Sequence, residues 1–285
     1  MARGRDVRGK IRRVTSIDVL DDAAVDGIAA LCRRSLADPP TAEELAAVLF
    51  TADQPALVRG DPGVGVVATG EGGGNGFVKL LVVDPAHRGK GHGRALLDAA
   101  EADLSGLPSI TVGTDAPFYL FPGVETGETA LLCLLEHRRY ERRDTAFNMT
   151  VELDALAPDR GDTTTATAND RADVAAWLDT HWPHWKAEAL RALDKGTLVV
   201  AGDADGMSAF CAYGVNRDGW IGPVAVRPDL LGRGAGVGVL MGALYRMRAA
   251  GHRRAEIAWV GPIVPYARIG AVVSTVFFVY RKKLR

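Results

Sequence analysis

Residues 84–97 read DPAHRGKGHGRALL, and the reading of this stretch decides the fold. Gly89, Gly91 and Gly93 stand at every second position, immediately before an amphipathic stretch that predicts a helix over about 91–104. Glycine weakens a helix by roughly 0.5–1 kcal/mol against alanine, so the cluster answers to something outside the helix. A strand pattern, FVKLLVV (77–83), precedes it. Strand, glycine loop and helix N-terminus together outline an anion cradle, because unpaired N–H groups and the positive end of the helix dipole point at the loop. Arg88, Lys90 and Arg94 add charge around it. Spacing narrows the choice of anion. The hydrolytic P-loop pattern GxxxxGK[ST] is absent, and the dinucleotide pattern GxGxxG fails because Arg94 stands where its third glycine belongs.

Working outward, a shift of 143 residues lays NGFVKLLVVDPAHRGKGHGRALLD (75–98) on DGWIGPVAVRPDLLGRGAGVGVLM (218–241) without a gap. Gly76/Gly219, Val83/Val226, Pro85/Pro228, Gly89/Gly232, Gly91/Gly234, Gly93/Gly236 and Leu97/Leu240 coincide. The order of apolar run, V-x-P, glycines and amphipathic stretch is that of a duplicated domain, and the period is too long for a solenoid. Val237 again stands at the third-glycine position. We expect one domain over 1–156 and a second over 157–285, joined by ALAPDRGD (155–162), which carries the proline, glycine and charge of a boundary.

In the first half, helical patterns at 21–36 and 41–49 precede strands at 55–59, 63–69 and 77–83, with a turn at 70–76. After the loop helix come a strand (109–114), a helix (128–138) and a β segment (144–153). The second half repeats the plan: helices in 170–195, strands at 197–201, 207–214 and 220–226, a helix at 235–249, and strands at 255–260 and 271–281.

Composition excludes several classes. The 34 Lys and Arg nearly cancel the 35 Asp and Glu, so no long-range field draws the molecule to nucleic acid or an anionic membrane. The basic opening MARGRDVRGKIRR (1–13) leads into a mixed stretch, so no secretory signal is expected. AVVSTVFFVY (271–280) is about half the roughly 20 residues of a membrane span and reads as a buried strand. Cys32, Cys133 and Cys211 make neither a CxxC nor an even disulfide set, which fits a reducing cytoplasm.

The combination R-x-x-G-x-G (Arg88, Gly91, Gly93), with V-x-P before it (Val83, Pro85) and a helix after it, resembles the acyl-CoA loop of the GNAT superfamily of N-acetyltransferases. The resemblance covers both halves. It implies an α/β (α+β) protein of two tandem GNAT folds, each a mixed, mostly antiparallel twisted sheet flanked by helices. It also implies an N-acetyltransferase that moves an acetyl group from acetyl-CoA to an amine of a small metabolite by direct attack, acting as a monomer or homodimer. In the first half the cofactor-binding residues it implies are Leu81, Val82 and Val83 on the strand, with Arg88, Gly89, Lys90, Gly91, His92, Gly93 and Arg94 in the loop. In the second they are Val224, Ala225, Val226, Leu231, Gly232, Arg233, Gly234, Ala235 and Gly236. Leu231 stands where the arginine belongs; losing one charge-assisted bond costs about 1.5–3 kcal/mol, so weaker binding is expected there.

Acetyl transfer from a thioester needs a neutral amine, donors for the developing oxyanion and an acid for the departing thiolate. The resemblance places the oxyanion donors among backbone N–H groups of residues 81–83 or 224–226. It places the acid on a tyrosine in an F-Y-x-x-x-G-like pattern, and Tyr266, four residues before Gly270 in WVGPIVPYARIGAVV (259–273), takes that position. The competing reading of Tyr266 is an ordinary core tyrosine. Leu135 occupies the first half's equivalent, with Tyr119 and Tyr140 off the pattern. In tandem members of the family the C-terminal half is the catalytic one, so Tyr266 is the expected catalytic residue.

THWPHWKAEAL (180–190) puts His181, Trp182, His184 and Trp185 where variable substrate-binding helices lie; helix-packing tryptophans beside solvated histidines are the alternative. No carboxylate or cysteine completes a metal set around these histidines. Asp115 and Glu188 are weaker candidate bases, and FYLFPGVETGE (118–128) either lines the first half's pocket or seals the contact between halves. A non-catalytic acyl-CoA sensor is the rival function.

Overall fold

The computed structural model describes residues 17–50, 55–156, 161–203 and 206–284. The basic N-terminal stretch and residues 157–160 of the expected linker lie outside them. The first half of the chain gives β1 (Val19–Leu20), α1 (Val25–Ser35), α2 (Ala42–Leu45) prolonged by a π turn over Ala46–Phe50, β2 (Leu57–Asp61), β3 (Gly65–Gly72), β4 (Asn75–Val83), α3 (His92–Asp103), β5 (Ser109–Val112), β6 (Val124–Glu125), α4 (Thr129–His137) and β7 (Glu141–Glu152). The second gives β8 (Thr164–Thr165), α5 (Arg171–His181), α6 (Lys186–Asp194), β9 (Leu198–Asp203), β10 (Gly206–Tyr213), β11 (Trp220–Val226), α7 (Ala235–Ala249), β12 (Arg254–Ile257), α8 (Ile263–Ala267) and β13 (Val272–Lys283).

Local chemistry accounts for these elements. Ile28, Leu31 and Cys32 fall on one face of α1 and are fully buried, the i, i+3, i+4 signature of an amphipathic helix. Thr41 starts α2 with a capping box: its hydroxyl accepts from the Glu44 N–H at 3.2 Å, and the Glu44 carboxylate accepts from the Thr41 N–H at 2.7 Å. All four residues of β5 are buried, as expected of a strand covered on both faces.

The strands form one unclosed mixed sheet of thirteen, with helices packed on it, in the order β1-β2-β3-β4-β5-β13-β7-β12-β11-β10-β9-β8 and with β6 pairing β13 at the side. Two parallel pairs, β4–β5 and β11–β12, occupy equivalent places in the two halves, and the remaining pairs are antiparallel. Both parallel pairs are short. β4 and β5 pair only from Gly76–Ile110 to Val78–Val112, and β11 and β12 only at Trp220–Glu256 and Ile221–Ile257. Past those points the later residues of β4 and β11 have one edge with no strand beside it among the described residues.

The centre of the sheet departs from two side-by-side copies, because the last strand of each half lies in the other. β13 runs beside β5 from Tyr280–Val112 to Lys283–Ser109, while β7 runs beside β12 from Arg254–Glu152 to Ile257–Met149. The exchanged strands also pair with each other, from Val272–Thr150 to Arg281–Glu141. Packing follows the exchange. Tyr280 is buried in the first half's core with Leu97, Ile110 and Leu135, and its hydroxyl donates to Glu136 Oε1 at 2.8 Å. Met149 and Val151 of β7, with Leu153 just after it, pack into the second half's core with Leu240 and Leu244 of α7. Each such side chain contributes roughly 1.5–3 kcal/mol by burial. Among the described residues no helix is long and apolar enough to cross a membrane.

Candidate functional site

Both glycine loops open their helix identically. Gly91 (φ 90°, ψ −3°) and Gly234 (φ 95°, ψ −10°) precede the first turns of α3 and α7 in the left-handed region, where a side chain is strained. A Cβ at either would meet no atom within 4 Å, so the cradle in front of them is open. The third glycine of each set has a different cause: a Cβ on Gly93 would lie 3.2 Å from Leu134 Cδ2, and one on Gly236 only 2.9 Å from Val226 Cγ2. These glycines let the helix approach what packs over it.

The surroundings of the loops diverge. In the first half a cleft of about 300 Å3 runs along Leu81, Val82 and Val83 to Arg88, Gly89, Gly91, Gly93 and Arg94, and is closed by Leu131 and Leu134 of α4. Arg88 ties the loop down: its Nε donates to the Val83 carbonyl at 3.1 Å and its Nη2 to the Ser35 carbonyl at 3.0 Å. Lys90 donates to the Ala86 carbonyl at 2.8 Å, and the His92 ring meets His87 at 6.0 Å. Arg94 is exposed and has no carboxylate partner among the described residues, which leaves its charge free for an anion at the α3 N-terminus.

A smaller cavity, about 60 Å3, lies behind this cleft where β4 and β5 part, and shares Leu36, Leu81, Glu128 and Leu131 with it. Three carboxylates line it: Asp38, Glu125 and Glu128. Glu125 sits on β6, opposite Phe277 of β13. Burial pushes its pKa up, and the facing charges of Glu128, Asp38 and Glu256 push it further. No basic side chain pairs with it among the described residues, whereas Asp38 is held by Arg217 and Glu128 lies 4.0 Å from Arg88.

Lys79 also lines the cavity, but its ammonium is consumed by the buried Asp115 carboxylate at 2.6 Å and the Phe118 carbonyl at 2.9 Å. Burial raises the Asp115 pKa against the lowering by Lys79. Asp115, a candidate base from the sequence, therefore anchors the segment after β5. Gly70 makes room for the pair, since a Cβ there would lie 2.6 Å from Lys79 Cε.

In the second half the cleft is larger, about 910 Å3, lined by Arg233, Gly234 and Ala235 at the start of α7 and by Arg268, Ile269 and Gly270 after α8. Asp162 is the one carboxylate among the described residues lining it. Leu231, in the place of Arg88, is 62% exposed and ties nothing down. Its work passes to an indole: Trp182 Nε1 donates to the Val226 carbonyl at 2.9 Å, the counterpart of the Val83 carbonyl that Arg88 holds. Pro223, the counterpart of Leu80, removes one backbone donor from β11.

The remaining sequence candidates scatter. Trp182 stacks on Trp185 at 5.0 Å, His184 packs on Trp185 at 4.6 Å and His181 on Trp177 at 5.0 Å, and none of these lines a cleft described above. Tyr266, on α8, packs against the second half's core one turn before the cleft residues Ile269 and Gly270. Burial pushes its phenol up to about 12, so it is a proton donor at neutral pH. Val224 and Val226 pack on the same core, and Ala225 is buried.

Leu135 and Tyr140 are buried core residues, and Tyr119 sits at the contact between halves, 5.9 Å from Trp220 and 5.4 Å from Trp259. Glu188 lies at that contact too, pushed up to about 8 by burial and accepting from Asn216 Nδ2 at 3.3 Å. The 118–128 segment serves both uses weighed for it: Tyr119 seals the contact, while Phe121 and Glu125 line the cavity. Asp38, Lys79, Glu125, Glu128 and Arg217 went unseen in the sequence. The position of Glu125 and Glu128 inside the singled-out 118–128 stretch is the one signal that pointed their way.

A family model described as an acetyltransferase (GNAT) domain matches residues 48–120. A mycothiol acetyltransferase of Clavibacter sepedonicus is 31% identical over 282 residues, covering 86% of each chain. Another, from Kineococcus radiotolerans, is 32% identical over 206 residues, 66% of this chain and 67% of the relative. Among solved structures, a GCN5-related N-acetyltransferase from Sphaerobacter thermophilus superposes with a TM-score of 0.69 at 20% identity, over 95% of this chain and 96% of that one. A tandem GNAT protein from the clavulanic acid biosynthesis pathway gives 0.69 at 16% identity, over 95% and 98%. These structural likenesses establish the fold.

Proposed function

Since the chain belongs to the GNAT acetyltransferase family, we propose that the acetyl transfer it performs, from acetyl-CoA to an amine, takes place in the cleft of the first half. Membership does not favour the non-catalytic sensor. The observation that carries the placement is adjacency: the cleft holding the intact loop shares Leu36, Leu81, Glu128 and Leu131 with a cavity lined by carboxylates. The second half's cleft is lined by one carboxylate among the described residues.

In this reading the backbone N–H groups at Gly89, Gly91 and Gly93, with the α3 N-terminus and Arg94, hold the CoA diphosphate. The thioester lies along the open edge of β4, and an N–H among Leu81–Val83 stabilises the developing oxyanion. The amine enters through the inner cavity as an ammonium ion. Glu125 takes a proton from it; the freed nitrogen attacks the thioester carbon, the C–S bond breaks, and the second proton that the nitrogen sheds on becoming an amide neutralises the departing CoA thiolate. A carboxylate of raised pKa is a stronger base than an ordinary glutamate, which suits this step. The relatives are named for mycothiol, so its deacetylated form is the first acceptor to try. Two buried free cysteines and one exposed fit the reducing cytoplasm as the place of action.

A second reading keeps the chemistry at Tyr266, favoured by its protonated phenol beside the larger cleft. The two separate by calorimetry and kinetics. If acetyl-CoA binding is lost in Gly91→Val but kept in Gly234→Val, and Tyr266→Phe turns over at the wild-type rate, the first half is the site. The opposite pattern moves the chemistry to the second.

A further inference from the structure

The residues lining the inner cavity all belong to the first half, but two of its walls are held from behind by the second. Its walls include the loop after α1, through Asp38, and the long segment after β5, through Gly113, Phe121 and Glu125. Both are irregular apart from the two-residue β6, and both are held by the loop between β10 and β11 of the second half. Arg217, whose side chain is 6% exposed, donates from Nη1 to Asp38 Oδ2 at 2.7 Å and from Nη2 to Asp38 Oδ1 at 3.1 Å, and also reaches the Pro39 carbonyl at 3.3 Å. The Asp218 N–H donates to Glu44 Oε1 at 2.7 Å, at the start of α2. On the other wall, Asn216 Nδ2 donates to the Pro117 carbonyl at 3.1 Å, the Trp220 ring meets Tyr119, and the Arg217 guanidinium stands 5.7 Å from the Phe121 ring.

A buried guanidinium is expensive unless its partners are well placed, and here the partners come from the other half of the chain. The Asp38 side chain is 62% exposed, so it needs no ion pair for its own burial. The bidentate contact instead fixes the direction of a carboxylate that lines the cavity. We infer that the amine-binding side of the first cleft is braced by the second half, with Arg217 a positioning residue that presents Asp38 and Phe121 to a cationic amine. The second half then serves as a brace behind the walls of the first half's site. This rests on placing the chemistry in the first half.

The test compares wild type with Arg217→Met, Asp38→Asn and the double variant, measuring KM and kcat for the acceptor and the acetyl-CoA Kd by calorimetry. The acceptor is the fastest of 1,4-diaminobutane, 2-phenylethylamine and deacetylated mycothiol. The expected result is an amine KM raised about tenfold in each single variant, with the acetyl-CoA Kd unchanged. The double variant is expected to be no worse than the worse single one, because one residue acts through the other. Asp38→Asn alters an exposed side chain and keeps the test open if Arg217→Met does not fold. An amine KM within about twofold of wild type in a folded variant overturns the inference, and so does a Kd for acetyl-CoA that rises in step with KM. A wild-type protein that binds acetyl-CoA in the first cleft yet acetylates none of the three amines also overturns it. If Gly91→Val leaves acetyl-CoA binding and turnover intact, the placement in the first half fails, and that outcome is distinct from the others.

Discussion

The two glycine loops share backbone geometry and little else. Gly91 and Gly234 differ by 5° in φ, 90° against 95°, and each opens a helix over an unobstructed cradle. Yet one loop is laced to its strand by Arg88, and the other leaves Leu231 in solvent while Trp182 reaches across to the equivalent carbonyl. Each loop makes a left-handed turn and a close helix approach, so the glycines persist in both halves. The charges and carboxylates around them are free to change. Glycine spacing therefore locates the architecture, and the side chains that the loop brings together locate the chemistry.

That comparison can be broken at several scales. The largest effect is expected from ending the chain after Ala271. This removes β13 and with it Phe277 and Tyr280, whose burial contributes roughly 1.5–3 kcal/mol each, together with the ladder to β5. The first half is expected to lose cooperative thermal unfolding by circular dichroism, although the deletion lies wholly in the second. Next, Glu125→Gln is expected to lower kcat about 10²-fold with acetyl-CoA affinity unchanged. In the wild type a base of raised pKa is lost as pH falls through a value above the roughly 4.3 of ordinary glutamate. The acid limb of the kcat profile should therefore lie higher than a free carboxylate gives, and vanish in the variant; an unchanged limb removes Glu125 from the chemistry.

Gly91→Val and Gly234→Val sharpen the contrast directly. Both force a β-branched residue to positive φ, at about 1–3 kcal/mol of strain. Equal losses of acetyl-CoA affinity would erase the difference between the loops; loss in the first alone would confirm it. The smallest effect is expected from Trp182→Phe, which keeps a ring and removes the N–H that holds the Val226 carbonyl. A loss of about 0.5–1.5 kcal/mol in urea unfolding, with turnover intact, marks Trp182 as a structural substitute for Arg88.

Much of this molecule is legible locally. α7 spans Ala235–Ala249, the interval its spacing predicts, and β11 likewise matches 220–226, because apolar periodicity is a property of neighbours in sequence. Two-residue strands such as β6 and β8 are too short to carry a pattern. The exchange of β7 and β13 escapes for another reason: alternation says that a segment is a strand but not which edge it will pair with. Trp182 reads as a pocket residue until the fold brings a carbonyl within reach. Glu125 is unremarkable until the α1–α2 loop sets Asp38 beside it and Arg217, 179 positions away, holds Asp38 there.

The exchanged strands carry a consequence for inheritance. A gene cut at the linker would encode two polypeptides, each lacking the strand its own sheet needs and each carrying the one the other needs. Expressed singly, both would expose a raw sheet edge prone to self-association. Expressed together, fragments 1–156 and 157–285 are expected to reassemble by complementation. Each half is thereby an obligate companion of the other, because neither completes its sheet without the strand that its neighbour supplies.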